Sequence, residues 1–423
     1  MIILNKNHYI DLMDKQIDDI KTSGKKPKLL LHSCCAPCSS SVIEQLTEYF
    51  EITVYYYNPN IYPHYEFKKR ADEQKRFCKE FFKEKSIKVI EAEFIPEEFE
   101  NAIKTMHTQK EGGARCSVCY GIRLEKTAAY AKENGFDYFA STLSVSPLKD
   151  EERLNEIGEA LSGKYGVKYL FNDFKKRNGY KRSCEISKET GMYRQDYCGC
   201  KYSYFERLVS SAKGYIFDLD GTLTDTMPYY ETYSPNLVRY FGKEPKPTIR
   251  DDVRLLTSEE VCEYVVKEYG IPHTPEELLE KTYEQLEKFY GNEAKLKDGV
   301  KEFLEYAAKK GKKLCIASAT AGKFIELVLR SNGVFNMFEF CLSCPDLGMY
   351  KDKPDIYIKA ANMMGLEKDE VLVFEDAHHA VLTAKSGGLK VVAVYDECAE
   401  KFEDIIKENA DIYVDTMAEL IFE

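Results

Sequence analysis

The chain has 423 residues, 44% of them hydrophobic and 31% charged, with 14 cysteines and a net charge of −11. That length exceeds what one ordinary core supports and predicts at least two domains. No apolar run approaches the roughly 20 residues a membrane span needs, so the composition is that of a soluble globular protein with no membrane partner.

The first residues, Met1-Ile2-Ile3-Leu4-Asn5-Lys6, contain no basic segment leading into a long apolar stretch, so the expected location is the cytoplasm. An apolar strand over 28–33, an amphipathic helix over 39–50 and a strand over 51–58 set a rhythm that predicts a mostly parallel sheet. It continues through a strand over 87–91, a helix around 122–133, a strand over 138–142 and a closing helix over 202–212. A fresh cycle opens with Gly214-Tyr215-Ile216-Phe217-Asp218, which places the expected boundary near Lys213 and gives domains 1–212 and 213–423. Residues 228–292 are helical in pattern and interrupt the second sheet, whose strands resume at 313–317, 371–374 and 391–394. The expected fold class is α/β: two Rossmann-like, mostly parallel domains, the second with an inserted helical cap.

Charge divides unevenly, about +3 over residues 1–212 and about −14 over the rest, so only the first half suits a polyanion. Its most basic stretch, 164–194, includes Lys175, Lys176, Arg177, Lys181 and Arg182. That stretch reads either as a strip of phosphate contacts or, more commonly for a charge run, as a solvated helix face.

Many cysteines in a large chain point to free thiols, metal ligands or redox groups rather than structural disulfides. Nine lie at or before Cys200, and seven of these are grouped: Cys34, Cys35 and Cys38; Cys116 and Cys119; Cys198 and Cys200. The isolated pair, Cys78 and Cys184, reads as ordinary thiols. The first group ends a strand where a helix must begin, the place where open α/β sheets bind ligands and where helix N-termini favour thiolates. The second group opens another helix, and four thiolates from these two places suit zinc or a 4Fe-4S cluster alike. In Tyr197-Cys198-Gly199-Cys200 a single glycine separates the sulfurs, short enough to close into a strained, labile disulfide.

The segments Cys34-Cys35-Ala36-Pro37-Cys38, Asn58-Pro59-Asn60-Ile61, Cys116 to Cys119, Ser141-Thr142-Leu143 through Ser146-Pro147, and Tyr193-Arg194-Gln195-Asp196-Tyr197-Cys198-Gly199-Cys200 together resemble the cobalamin-independent epoxyqueuosine reductases. The resemblance covers roughly the first half of the chain. It implies the last step of queuosine synthesis, in which the epoxide on the modified wobble base of tRNA becomes an alkene with loss of water. It further implies Cys34, Cys35, Cys116 and Cys119 as ligands of a 4Fe-4S cluster, and Cys198 with Cys200 as the redox-active pair. The anticodon loop of tRNA and an external electron donor are the implied partners; an additional non-cluster metal is compatible with such a site, and Cys38 receives no role. Tyr55, Tyr56, Tyr57, Tyr62 and Tyr65 could stack on an exposed base, but for most of them core packing is the expected role. The competing reading of this half is a zinc-stabilised tRNA-binding module. ATP use is not expected, because Ser33-Cys34-Cys35-Ala36 stands where a glycine-rich phosphate loop would follow the first strand.

In Phe217-Asp218-Leu219-Asp220-Gly221-Thr222-Leu223-Thr224 two carboxylates, one residue apart, end a strand. Downstream come Ile316-Ala317-Ser318, then Lys351 four residues before Asp355, then Phe374-Glu375-Asp376. This ordered set resembles the haloacid dehalogenase superfamily, nearest the capped subgroup that includes β-phosphoglucomutase and small phosphatases. The resemblance implies Asp218 as nucleophile, Asp220 as acid and base, Ser318 and Lys351 as phosphate ligands, and Asp218, Asp220, Glu375 and Asp376 around Mg²⁺. Tyr230 stands where the mutases tend to carry a cap histidine, which favours hydrolysis of a small phosphate monoester.

Overall fold

Leu29, Leu30 and Leu31 are all fully buried, because a strand sends alternate side chains to opposite faces and both faces of this sheet are covered. Leu29 and Leu31 pack with Val42, Ile43 and Val54, while Leu30 packs with Tyr55, Leu124 and Phe139. The computed structural model describes residues 8–106, 109, 111–253 and 256–422. The chain divides into two units, Met1–Arg207 and Leu208–Glu423.

The first unit holds β1 (Lys28–His32), β2 (Glu51–Tyr56), β3 (Lys88–Glu91), β4 (Tyr138–Ser141) and β5 (Lys168–Tyr169), all parallel, in the order β3-β2-β1-β4-β5. The chain winds outward from β1 through β2 to β3 and returns to the other side of β1 as β4. Strand order therefore reverses between β1 and β4, opening a crevice at their C-terminal ends. The helix Ala36–Leu46 starts there, with Cys35 at its N-cap and Pro37 in its first turn. The helix expected around 122–133 starts earlier and spans Ala114–Glu133. Its buried stripe includes Cys119, Tyr120, Arg123, Leu124, Thr127 and Ala131, a spacing that sets Cys119 and Arg123 on one face.

Two alternatives left open by the sequence go to the plainer reading. Tyr55, Tyr56 and Tyr57 are core residues, at most 3% exposed, because β2 lies inside a sheet covered on both faces, so none of them is a stacking platform for a base; Tyr65 alone of the five is widely exposed. The basic stretch is largely neutralised: Lys164 pairs with Glu125, Lys175 with Glu151, Arg177 with Asp14 and Arg182 with Glu44. Those acids come from other segments of the chain, so the run behaves as the solvated, ion-paired face that is the commoner reading of such a stretch.

The second unit holds β6 (Gly214–Phe217), β7 (Lys313–Ser318), β8 (Phe340–Ser343), β9 (Val371–Glu375), β10 (Lys390–Val394) and β11 (Ile412–Val414), parallel and ordered β11-β10-β9-β6-β7-β8. Here the reversal falls between β6 and β9. Between β6 and β7 the chain makes the helices Met227–Tyr240, Ile249–Val253, Ser258–Tyr269 and Pro275–Lys288, then a π-helical turn, Phe289–Glu293. Leu237, Val238, Val261, Cys262, Val265 and Leu278 give this insert a core of its own. Thr257 and Thr274 start two of its helices with capping boxes completed by Glu260 and Glu277. Among the described residues no helix is long and apolar enough to cross a membrane.

Candidate functional sites

At the end of β1 the chain delivers Cys34 and Cys35 into the crevice beside β4. The sulfurs of Cys34, Cys35 and Cys38 lie within 4.8 Å of one another, with 3.7 Å between Cys34 and Cys35 and 2.7 Å between Cys35 and Cys38. Cys38, given no role by sequence, thus belongs to the compact group, whereas Cys116 and Cys119 stand outside it on the helix Ala114–Glu133. Hydrogen bonds from the Cys35 and Cys38 thiols, helped by Arg123, hold Cys34 well below the ordinary thiol range despite burial. Burial pushes Cys35 up to about 12. Cys34 is therefore the preferred thiolate of the three.

Arg123 joins the cysteine groups. Its guanidinium is 2% exposed, and it donates to Asn58 Oδ1 at 2.7 Å and to Cys119 Sγ at 3.6 Å. Burial works against its charge, but the sulfurs of Cys119, Cys34 and Cys198 more than offset that and raise its pKa. Asn58 in turn donates from Nδ2 to the carbonyl of Ser33 at 2.9 Å. The Asn58-Pro59-Asn60 segment thereby ties the Cys34 turn to the helix carrying Cys119.

The Cys198-Gly199-Cys200 loop closes over the same place. Gly199 has φ of 132°, and a Cβ there would sit 3.0 Å from Arg70 Nη1 and 3.5 Å from Asn60 Nδ2, so the position requires glycine. Its carbonyl accepts from the Tyr62 amide at 2.7 Å, and Tyr197 donates its hydroxyl to the Tyr62 carbonyl at 2.7 Å. Arg70 lies 4.8 Å from the Tyr197 ring and is itself held by Glu66 at 2.9 Å. Cys198 lies within charge-interaction range of Cys116, Cys119 and the buried ammonium of Lys149, and Lys149 pairs with Glu111 at 2.7 Å. Cys200 packs with Cys119, Phe99, Ile103 and Tyr202, and burial followed by the nearby Cys198 pushes its thiol up to about 12.

All fourteen cysteines are free thiols. Around this crevice the buried atoms Asn60 Oδ1, Arg70 Nη2, Tyr120 Oη and Thr142 Oγ1 have no hydrogen-bond partner among the described residues. Buried polar atoms are normally bonded, so thiolate donors together with these unmatched atoms fit a site that takes an inorganic group and a polar substrate. Sequence reasoning missed Arg123, Arg70 and Lys149; only Arg123 left a signal, standing four residues after Cys119 on one helical face.

In the second unit Asp218 follows β6, Glu375 ends β9, and Asp376 comes next. These three buried carboxylates lie within 4.8 Å of one another. Lys351 bonds Asp218 and reaches Glu375 Oε1 at 2.7 Å; Thr222 donates to Asp376 Oδ1 at 3.0 Å. Gly221, with φ of 84°, passes so close that a Cβ would meet Asp376 Oδ2 at 2.5 Å. Burial pushes Glu375 up to about 7, with the Lys351 charge pulling the other way, and burial with the Asp218 charge lifts Asp376 well above its ordinary value. Three crowded, buried acids with hard oxygen donors fit a Mg²⁺ ion, which one lysine only partly replaces. Ser318 is buried at the end of β7. The Asp220 carboxyl is outside the acidic group, contrary to the expected metal set. It bonds Thr226, Thr320 and Tyr290 instead.

The sequence model of the family described as epoxyqueuosine reductase QueH matches residues 29–206, and that of haloacid dehalogenase-like hydrolases matches 215–394. Epoxyqueuosine reductase QueH of Staphylococcus epidermidis is 43% identical over 202 residues, covering 47% of this chain and 85% of that protein. The Streptococcus pyogenes protein of the same name is 42% identical over 200 residues, with 47% and 78% covered. The Thermotoga maritima one is 37% identical over 185 residues, with 42% and 91% covered. Among solved structures, CbbY from Rhodobacter sphaeroides in complex with phosphate aligns at a TM-score of 0.44 and 19% identity, over 49% of this chain and 96% of that one. Through its first half the chain belongs to the epoxyqueuosine reductase QueH family, and its second half is a haloacid dehalogenase-like hydrolase domain, so it is an enzyme with a reductase part and a hydrolase part.

Proposed function

We propose that the first half reduces epoxyqueuosine to queuosine at the wobble position of tRNA, and that the second hydrolyses a small phosphate monoester with Mg²⁺. The observation that carries the first reading is the convergence of three distant cysteine groups on one crevice around Arg123. Cys34, Cys35, Cys116 and Cys119 would hold a 4Fe-4S cluster, which when bound relays electrons and offers a Lewis acid to the epoxide oxygen. Converting an epoxide to an alkene and water takes two electrons and two protons. Cys198 and Cys200 supply both as their thiols become a disulfide, and an external donor returns the pair to dithiol. Arg70, Tyr62 and Tyr197 fix the loop that carries this pair, and Lys149 sets an ammonium beside Cys198.

The compact Cys34, Cys35 and Cys38 group also suits a single thiolate-bound ion, so the zinc reading is tested directly. Protein purified without oxygen is expected to contain iron and acid-labile sulfide. Colourless protein holding zinc alone overturns the reductase chemistry. Cys198→Ser and Cys200→Ser are each expected to abolish loss of epoxyqueuosine from tRNA, read by mass spectrometry.

In the second half Asp218 attacks phosphorus as the ester P–O bond breaks, and Asp220 gives its proton to the leaving oxygen. Asp220 then takes a proton from water, whose oxygen displaces Asp218 from phosphorus and releases phosphate. Ser318 and Lys351 bind the phosphoryl oxygens. Asp218, Asp376 and Glu375 would hold Mg²⁺, which when bound would neutralise the charge gathered there. Asp218→Asn is expected to abolish phosphate release from 4-nitrophenyl phosphate. EDTA is expected to stop the wild-type reaction and Mg²⁺ to restore it, and EDTA-resistant turnover overturns the metal assignment.

A further inference from the structure

Asp220 accepts more hydrogen bonds than an acid and base shared between two steps needs for burial alone. Its Oδ1 takes Thr226 Oγ1 at 2.7 Å and Tyr290 Oη at 2.7 Å, and its Oδ2 takes Thr320 Oγ1. Behind Tyr290, at 2.6 Å, stands the hydroxyl of Tyr230. A phenol has one proton, and that of Tyr290 is committed to Asp220, so Tyr230 must be the donor between the two. The chain of donation runs from Tyr230 to Tyr290 to Asp220, each bond polarising the next.

The two tyrosines come from opposite ends of the helical insert. Tyr230 is in its first helix, and Tyr290 is in the π-helical turn that closes it. Tyr290 is fully buried and stacked on Phe324 with ring centroids 5.5 Å apart. A single π-helical turn is a recurrent feature of functional sites, and here it aims one phenol at the acid.

A carboxyl oxygen has two lone pairs. Thr226 and Tyr290 occupy both on Oδ1, whereas Thr320 occupies one on Oδ2. We infer that Tyr290, backed by Tyr230, is a positioning residue for Asp220: by saturating Oδ1 it assigns Oδ2 as the oxygen that carries the proton to the leaving group. This rests on the phosphatase reading of the second half.

The test uses full-length protein with Mg²⁺ and compares kcat/KM for 4-nitrophenyl phosphate with that for the best alkyl phosphate in a panel of sugar phosphates and nucleotides. Nitrophenolate leaves without a proton, whereas an alkoxide needs one, and kcat/KM covers only the steps up to departure of the leaving group. Tyr290→Phe is expected to raise the nitrophenyl-to-alkyl ratio about tenfold or more, the range in which positioned general acids act. Tyr230→Phe moves it the same way by less, and the double variant matches Tyr290→Phe because both act through one chain. An unchanged ratio in Tyr290→Phe overturns the inference, whatever happens to the absolute rates; should that variant not fold, the ratio for Tyr230→Phe decides in the same manner. Wild-type protein that hydrolyses neither 4-nitrophenyl phosphate nor any alkyl phosphate overturns the phosphatase reading and this inference with it, a result distinct from an unchanged ratio.

Discussion

Arg123 is a buried guanidinium that donates to the Cys119 sulfur, to Asn58 Oδ1 and to the His32 ring nitrogen Nε2 at 3.4 Å. Its charge is offset by the nearby Cys34 thiol, which it helps hold well below the ordinary thiol range; without it Cys34 would lose that counter-charge and Asn58 Oδ1 its donor. Arg123→Met is expected to destabilise the first unit by about 3 kcal/mol, the cost of breaking one side of a buried charged contact, measured by urea unfolding. Arg123→Lys is expected to recover only part of this, since a single ammonium does not span Asn58 and Cys119 as a planar fork does. Of these contacts the sequence displayed the cysteines, grouped and unmistakable, and the four-residue step from Cys119 to Arg123. It did not display Arg70 or Lys149, whose roles come from where distant loops bring them.

Elements were legible where their pattern was local. The strands at 28–32, 51–56 and 371–375 follow apolar runs, and the insert helices follow their caps, because hydrogen bonding within a turn and a periodic buried face depend only on near neighbours. Thr257 accepts the Glu260 amide at 3.2 Å and Glu260 returns a bond to the Thr257 amide at 2.7 Å. Thr257→Ala is expected to lower stability of the second unit by about 1 kcal/mol, read as a downward shift in its thermal transition, while Thr257→Ser leaves the transition within the error of the melt. The basic run over 164–194 was left at this scale between phosphate contacts and a solvated face, and the ion pairs favour the second. Its partners, Asp14, Glu44, Glu125 and Glu151, lie tens of residues away or on other helices, and no local pattern reveals an ion pair made across the fold.

At the scale of the molecule, each unit carries a complete crevice at the reversal of its own parallel sheet, one lined by thiols and one by carboxylates. The chemistries share no residue. Asp218→Asn is accordingly expected to eliminate phosphate release while leaving epoxyqueuosine reduction within about twofold, as sites without shared partners behave additively; Cys198→Ser is expected to do the reverse. Assaying both variants for both activities checks this, and loss of both activities in either variant contradicts it.

The sequence by itself determined the two parallel α/β folds, the identities of the cysteine and aspartate groups, and the strand-end positions of Cys34, Cys35, Asp218 and Glu375, because apolar periodicity and strand–helix transitions are written in neighbouring residues. Only the tertiary structure decided that Cys38 joins Cys34 and Cys35, that Asp220 faces two threonines and a tyrosine rather than the other acids, and that Arg123 ties the thiol groups together. Those outcomes depend on which distant segments meet at a crevice, and such meetings are set by sheet order and packing, which no single stretch of chain encodes.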